Sequence, residues 1–482
     1  MSTNQERSKR WLLAGIILFG GISVYLHIHL KNKRVDEMHA RDNAPLNRAK
    51  RAIQDADRAT VNGDMPRARL YLVKAREALE EAIQVGPKTR QLLHNRLVMI
   101  RRQLHLADQA KRHGEAIQFG RTALEQARTL FKGDRTDSRS RADRLATSRE
   151  LASLPTLDPA EAARVLHSAA TDVDETHKKL PTTEVVRMQL AKTWLEAARW
   201  ATEGKQRVQA LAAASRALEL VRVPSQNDDP INRLSTAYVI GTTAAELAEK
   251  LDAKAAQLRF ENAAIEVMKA RLKLQPLKPT LPQGLASRLS RLADIYTALK
   301  QHPQALKAQT EATEVLERAL SDHPQNPQVA WSYVRCLNLL GALHSARDED
   351  KKSLASYKRA YEHLRTLPDE AGRTRVITMG NYAQLLGRLD RMKRARQVAQ
   401  EAYDLALQFG DRDKSARRQV EDTASAGLRL ARLLRAKPNI KRRQALTVAQ
   451  REAKRLGEIG PYESKRKNQI ERGLKNLIEE LR

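Results

Sequence analysis

Small and apolar residues recur along the chain at the spacing of one helix face. Nine times a residue, usually alanine, is followed by a second member four positions later and a third after three more, which places all three on one side of a helix. The triplets are Ala68/Leu72/Ala75, Ala116/Gly120/Ala123, Ala162/Leu166/Ala169, Ala210/Ala214/Ala217, Ala256/Phe260/Ala263, Ala305/Gln309/Ala312, Ser353/Tyr357/Ala360, Ala395/Ala399/Ala402 and Ala445/Ala449/Glu452. Their first members are separated by 48, 46, 48, 46, 49, 48, 42 and 50 residues. The spacing predicts nine copies of one helical element.

A second set of small residues precedes most triplets by about twelve positions and predicts a partner helix in each copy. The set comprises Ala56 and Ala59 with Gly63, Ala198, Ala244 with Leu247, Leu292-Ala293 with Tyr296, and Tyr382-Ala383 with Leu386. The third copy, near Glu150, has no small residue at this place, and the last needs two more loop residues to bring Ala431 into register. Antiparallel helices approach closely where one presents Gly or Ala and the other fills the gap. We therefore expect each copy to be a helical hairpin.

The clearest copy pairs Leu340-Gly341 on its first helix with Ser353, Tyr357 and Ala360 on its second. This arrangement resembles the tetratricopeptide repeat (TPR), which pairs Leu-Gly and an aromatic on helix A with a small residue, an aromatic and an alanine on helix B. His344 stands where the family prefers tyrosine. The resemblance implies an all-α fold, an α–α superhelix in the form of a TPR-like solenoid of about nine hairpins.

The period of the copies departs from the family, whose standard repeat has about 34 residues. Pro87, Pro181, Pro276 and Pro324 fall 12, 12, 13 and 12 residues after the last member of their triplets. Because proline cannot continue a helix, this placement predicts a helix B that is longer than in the family by about two turns. The resemblance covers residues 45–461.

Residues 11–30 carry no Asp, Glu, Lys or Arg, and they are long enough to span a bilayer as a helix. We expect a transmembrane anchor; a cleaved signal peptide is the rival interpretation, although no small-residue cleavage site follows. Three Lys or Arg precede the segment and six follow it within twenty residues, which favours a cytoplasmic side for the rest of a single-pass membrane protein.

The remaining boundaries follow from composition. Residues 1–10 form an N-terminal tail and residues 31–44 a charged spacer, while residues 131–144 look like an interior loop. Residues 462–482 are predicted to form the capping helix that repeat arrays need. Its apolar stripe consists of Ile470, Leu474, Leu477, Ile478 and Leu481.

Motifs of catalysis and cofactor binding are absent from the sequence. There is no glycine-rich phosphate loop, no H-E-x-x-H, no G-x-S-x-G and no C-x-x-C pair. The single cysteine, Cys336, falls on a predicted helix A and is expected to be a small core residue. We expect a protein that is not an enzyme and that needs no cofactor or metal.

The formal charge of +30 is a second strong feature, and it is concentrated between residues 388 and 475, where 24 Lys and Arg face 11 Asp and Glu. The residues expected on this basic surface are Arg394, Arg396, Arg417, Arg418, Arg442 and Arg443. Anionic lipid, nucleic acid or an acidic protein would be attracted; a solvated face without a ligand is equally compatible. Few aromatic residues accompany these arginines, which makes nucleic acid the weaker specific interpretation.

The TPR resemblance also implies a concave groove lined by helix A that holds a segment of a partner protein. The helix A register places Lys192, Arg199, Arg335, Asn338 and Gln384 toward that groove. We therefore predict a membrane-anchored scaffold or adaptor that binds a protein partner. The alternative is a basic surface that binds nucleic acid or another polyanion directly.

Overall fold

The structure is a computed structural model, and it describes residues 44–85, 89–179, 183–222, 229–364, 367, 372–412, 417–435, 440–458 and 464–481. These residues form nineteen helices joined by turns and loops, and they contain no β-strand. The all-α prediction is confirmed. The chain divides into two compact units, Met1–Asn227 (unit 1) and Asp228–Arg482 (unit 2).

The described part of unit 1 contains eight helices that pack as four consecutive antiparallel hairpins. They are α1 (Pro45–Val61), α2 (Met65–Val85), α3 (Arg90–Gln109), α4 (His113–Gly133), α5 (Ser138–Ala152), α6 (Pro159–His177), α7 (Glu184–Glu203) and α8 (Arg207–Arg222). Each odd-numbered helix pairs with the next even-numbered one, and neighbouring hairpins pack on each other. The odd-numbered helices of the whole chain, up to α17, are the A helices and the even-numbered ones the B helices.

The described part of unit 2 shows the same pattern, with five hairpins and one more helix. Its helices are α9 (Pro230–Lys250), α10 (Lys254–Leu274), α11 (Thr280–Ala298), α12 (His302–Asp322), α13 (Pro327–Ser345), α14 (Asp350–Leu364), α15 (Gly372–Arg388), α16 (Met392–Arg412), α17 (Arg417–Arg435), α18 (Ile440–Gly457) and α19 (Lys465–Leu481). The final helix α19 packs on both α17 and α18. Its buried apolar residues are Ile470, Leu474, Leu477 and Leu481, which belong to the stripe that predicts the capping helix.

Helix starts are encoded locally by short polar side chains and by proline. Side-chain oxygens accept hydrogen bonds from the first free N–H groups of eight described helices, at Asp64, Thr89, Asp137, Asp158, Thr183, Asp229, Asn326 and Ser464. Proline stands in the first turn of α1, α6, α9, α12 and α13, where its missing N–H costs nothing.

The turn inside most hairpins has one recurrent geometry. A single residue with positive φ follows helix A; these residues are Gly63, Lys111, Lys205, Asp252, Lys300, Asp348 and Asp390. In the turn at Lys300, the next N–H, on Gln301, donates to the carbonyl of Tyr296 at 2.8 Å. This left-handed termination satisfies carbonyls at the end of helix A and reverses the chain within three residues.

The predicted triplets lie on the B helices, with one correction of register. In the seven hairpins with the positive-φ turn, the first inward-facing residue of helix B comes five positions after the turn residue. For the fifth hairpin this residue is Gln257, followed by Glu261 and Ala264, all of them buried, whereas Ala256 is half-exposed. The predicted triplet Ala256/Phe260/Ala263 is therefore displaced by one residue from the register in the structure. Phe260 is fully buried as well. Because two residues of the observed register are polar, Gln257 and Glu261, an apolar pattern in the sequence favours the wrong register.

Glycine and alanine set the distance between the helices of a hairpin. A Cβ at Gly341 would lie 2.8 Å from Cε1 of Tyr357, so the tyrosine ring occupies the space that glycine leaves. The hydroxyl of Ser353 donates to the carbonyl of Gly341 at 2.8 Å. The third member, Ala360, is fully buried. These contacts are the close approach that the TPR-like pattern predicts.

Two sequence interpretations of helix length need correction. The B helices α2, α4, α10 and α12 have 21 residues, but the A helix α3 has 20 and α13 has 19. The extra residues of the long repeat are therefore shared by both helices instead of lengthening helix B alone. Residues 131–144 are mostly helical, because α4 continues to Gly133 and Asp137 caps α5.

The predicted anchor, residues 11–30, lies outside the described residues. Among the helices that the structure describes, none is both long enough and apolar enough to cross a membrane. The physical reason is that each of them buries one face on its neighbours and carries charged residues on the others. This finding contradicts the predicted single-pass membrane location, which we correct and do not retain.

Candidate functional site

Grooves open between neighbouring A helices in both units. In unit 1 a groove of about 560 Å³ lies between α5 and α7 and is lined by Ala146, Arg149, Glu150, Ser153, Glu196, Arg199, Trp200 and Glu203. Nε of Arg149 lies 3.0 Å from Oε1 of Glu196. Burial opposes the ionisation of Glu150, but hydrogen bonds from His105 and Arg101 outweigh it and lower the pKa of Glu150 to about 2. This groove therefore carries charges of both signs.

In unit 2 a groove of about 320 Å³ lies between α11 and α13. It is lined by Gln283, Ala286, Ser287, Ser290, Arg291, Asp294, Leu316, Ser332, Arg335, Cys336 and Leu339. Burial raises the pKa of Asp294, and the charge of Arg335 across the groove opposes that rise. Nη2 of Arg291 lies 2.5 Å from the carboxylate of Glu249. This groove therefore also carries charges of both signs.

A third groove, of about 510 Å³, lies between α15, α17 and α19 and has a different character. It is lined by Gln384, Gly387, Arg388, Ser425, Leu428, Arg429, Arg432, Leu433, Gln469 and Ile470. Three of these residues are arginines, and none of the described residues that line the groove is acidic. We call it the arginine groove. Its apolar floor is formed by Leu428, Leu433 and Ile470.

Two arginines of α17 enter the arginine groove beside glycines of the flanking helices. The guanidinium group of Arg429 lies against α15 at Gly380, where a Cβ would overlap Nη1. Nη2 of Arg432 lies 3.1 Å from the Cβ position of Gly473 on α19. Larger residues at these glycines would push the guanidinium groups away, so glycine fixes where the two positive charges sit.

Arg429 and Arg432 have no direct partner for their charges among the described residues, although the charge of Asp422 acts favourably on Arg429. Neither side chain forms a hydrogen bond or an ion pair with any residue in the described ranges. Burial and then repulsion from Arg466 lower the pKa of Arg429. In contrast, Arg388 is ion-paired with Asp350. The groove therefore holds two cations whose hydrogen-bond donors are available to a ligand.

The structure distributes the predicted groove residues over several places. Arg199, Arg335 and Gln384 are exposed and line the three grooves in turn. Lys192 is exposed on α7 but does not line the groove beside Arg199. Asn338 differs from its expected placement, because it is buried and its Nδ2 donates to Oγ1 of Thr378 at 2.5 Å. That hydrogen bond joins α13 to α15, so Asn338 holds neighbouring hairpins together.

The predicted basic surface is also only partly exposed. Arg394, Arg442 and Arg443 are exposed, and Nε of Arg442 donates to the carbonyl of Leu481 at 3.2 Å. Arg396 is buried, and its Nε donates to the carbonyl of Leu433 at 3.2 Å, which corrects its assignment to the surface. The side chains of Arg417 and Arg418 lie outside the described part of the structure. The exposed positive charges of this set therefore lie on α16 and α18, and Arg396 is not part of that surface.

Two other kinds of group could carry chemistry among the described residues, the cysteine thiol and clusters of metal ligands. Cys336 is buried in the core beside Ser290, with 3.6 Å between Sγ and Oγ, and burial raises the pKa of its thiol. Nowhere in the described residues do three His, Cys, Asp or Glu side chains come together in a way that could hold a metal ion.

Sequence reasoning missed the arginine groove, although a weak signal was present. Ser425, Arg429 and Arg432 follow one another at spacings of four and three, which places them on one face of α17. Gly380, Gln384 and Gly387 repeat the same spacing on α15. Each pattern alone is typical of an ordinary helix face. The two faces line one groove only because α15 packs against α17.

Comparisons with known proteins leave the family open. No family model matches the chain, and none of the curated proteins matches it. Among solved structures, the chain is similar to BtubC from P. vanneervenii, with 17% identity and a TM-score of 0.30 over 53% of this chain and 91% of that one. It is also similar to a signal-transduction ATPase with a tetratricopeptide repeat sensor from Pyrococcus horikoshii, with 12% identity and a TM-score of 0.38 over 86% and 60%.

A third similar structure is aspartyl phosphate phosphatase F from Bacillus subtilis, with 13% identity and a TM-score of 0.31 over 86% of this chain and 97% of that one. TM-scores this low carry no argument about function. The function proposed below is therefore built on the residues of this chain.

Proposed function

We propose that this protein is a helical-repeat scaffold that acts by binding a segment of a partner protein along the exposed faces of its A helices, and not by catalysis. The observation that carries this proposal is the series of grooves between neighbouring A helices, α5 with α7, α11 with α13, and α15 with α17. Each is large enough for several side chains of a peptide.

The chemistry of the grooves supports peptide binding. Each combines exposed polar side chains with at least one apolar surface: Trp200 in unit 1, Leu339 between α11 and α13, and Leu428 in the arginine groove. A groove between B helices, α4 and α6, has a volume of about 340 Å³. There Arg144 is ion-paired with Asp172 at 2.9 Å, so that cation already has a partner within the fold.

Site-specific photo-crosslinking tests the proposal. Benzoylphenylalanine is introduced at Arg199, Arg335 or Gln384 in the grooves, and at the exposed helix B residues Lys132 and Lys358 as matched controls. The full chain is irradiated in the cells that naturally produce it. We expect the groove positions to capture the same protein and the helix B positions not to capture it.

Two results would refute the scaffold proposal. One is a protein that crosslinks equally well from Lys132 and Lys358. The other is crosslinking to nucleic acid in place of protein, which would favour the basic-surface alternative. A nucleic-acid complex would also lose affinity steeply with added salt.

A further inference from the structure

In unit 2, the geometry points to the arginine groove as a binding site for an acidic peptide segment. Carboxylate side chains of the peptide would contact Arg429 and Arg432, and an apolar side chain between them would pack on Leu428 and Ile470. This inference rests on the proposed protein-binding function and names the ligand chemistry of one groove.

The preference for an anion follows from the half-buried guanidinium group of Arg429, beside which the exposed Arg432 adds a second positive charge. Buried or half-buried arginine is ordinarily paired, because a desolvated cation without a counter-charge is costly. Arg429 is half-buried and is not paired with a described residue, and Arg432, which is exposed, is also unpaired in the described ranges and faces the same groove. A carboxylate can take two parallel hydrogen bonds from one guanidinium group. Binding would therefore supply the missing partner of a cation that folding has already positioned.

The rest of the lining favours a peptide over a polyphosphate chain. Leu428 and Ile470 are almost fully buried, so they expose only a narrow apolar floor to the groove. Nucleic-acid strands are usually held by aromatic rings on which bases stack, and no described residue lining this groove is aromatic. Gln384 and Gln469 are exposed at the rim, where their amide groups can both donate to and accept from a peptide backbone.

Fluorescence anisotropy with the full chain tests this inference. The probe is the fluorescein-labelled peptide Glu-Glu-Leu-Glu-Glu-Leu-Glu-Glu, compared with the same peptide carrying glutamine at every glutamate and with an oligothymidylate of eight nucleotides. We expect the acidic peptide to bind at least tenfold more tightly than either comparison ligand.

Three variants assign the binding to the groove. Arg429→Gln and Arg432→Gln each remove one cation, and both are expected to weaken binding of the acidic peptide at least tenfold. Gly380→Ala keeps every charge but places a Cβ where Nη1 of Arg429 lies, so it should weaken binding as well. The double variant Arg451→Gln/Lys454→Gln removes two exposed cations of α18 and should leave binding unchanged. Circular dichroism confirms that each variant is folded.

The inference is overturned if the acidic peptide binds the Arg432→Gln and Gly380→Ala proteins as tightly as the native chain. It is also overturned if the oligothymidylate binds more tightly than the peptide, since the groove would then serve a phosphate backbone. These failures are separate from failure of the scaffold proposal, because crosslinking of a protein from Arg199 in unit 1 does not depend on the arginine groove.

Discussion

Gly341→Leu is the sharpest test of the hairpin packing, because it fills the contact between α13 and α14. A Cβ at this position would lie 2.8 Å from Cε1 of Tyr357 and 3.0 Å from Cδ1 and Cζ. Carbon atoms in proteins pack at about 3.5–4.0 Å, so the ring would have to retreat by most of an ångström. Tyr357 is only 5% exposed, and the Ser353 hydrogen bond holds the two helices together at the same level.

The magnitude follows from two opposing effects. Overpacking of a core costs about 1–3 kcal/mol, while replacing glycine inside a helix gains about 1 kcal/mol. For alanine the two effects nearly offset each other, and a net loss of about 0–2 kcal/mol is expected. Leucine adds three more heavy atoms and should reach about 3 kcal/mol. For a unit of about 250 residues such as unit 2, a loss of about 3 kcal/mol lowers the melting temperature by about 6–12 °C.

Thermal unfolding followed by circular dichroism measures the loss, and hydrogen exchange of peptides from α13 and α14 locates it. Gly457→Leu is the control, because a Cβ at Gly457 meets nothing within 4 Å. If Gly341→Leu melted within about 1 °C of the native chain, Tyr357 would not set the spacing of this hairpin, and our account of the repeat would fail.

Three further expectations concern the turn, a buried carboxylate and the cap. Lys300→Gly should stabilise the chain by up to about 1 kcal/mol, since φ of Lys300 is 59° and glycine adopts this conformation without strain; an unchanged or lower melting temperature would contradict this. Glu150→Gln should cost about 1–3 kcal/mol at pH 7. Because the folded-state pKa of Glu150 is lowered to about 2, this contribution is present above its ordinary pKa and is lost as the pH falls toward 2, so urea unfolding of the two proteins should differ at pH 7 and converge near pH 2. Leu474→Ala should cost about 2–5 kcal/mol, because Leu474 is fully buried in α19, and should speed hydrogen exchange in α17 and α18 without changing that of unit 1.

The sequence by itself determined the helical hairpins and most of their registers. Positions four and three apart on a helix face the same neighbour whatever that neighbour is, so the alanine triplets could be read without knowing the packing. The capping helix could also be predicted from the sequence, because Leu474 and Leu477 belong to one uninterrupted apolar stripe. The polar N-caps and the first-turn prolines are also local signals, which act within one turn of the chain.

Only the tertiary structure decided the fifth register and the arginine groove. Phe260 and Glu261 are both fully buried, and Glu261 is held by Arg288 of the next hairpin at 3.3 Å, so no local period could choose between them. Gly380 and Arg429 are far apart in the chain and lie on different hairpins. Whether two helix faces meet depends on how neighbouring hairpins pack, and that packing is the sum of many contacts that no single periodic pattern contains.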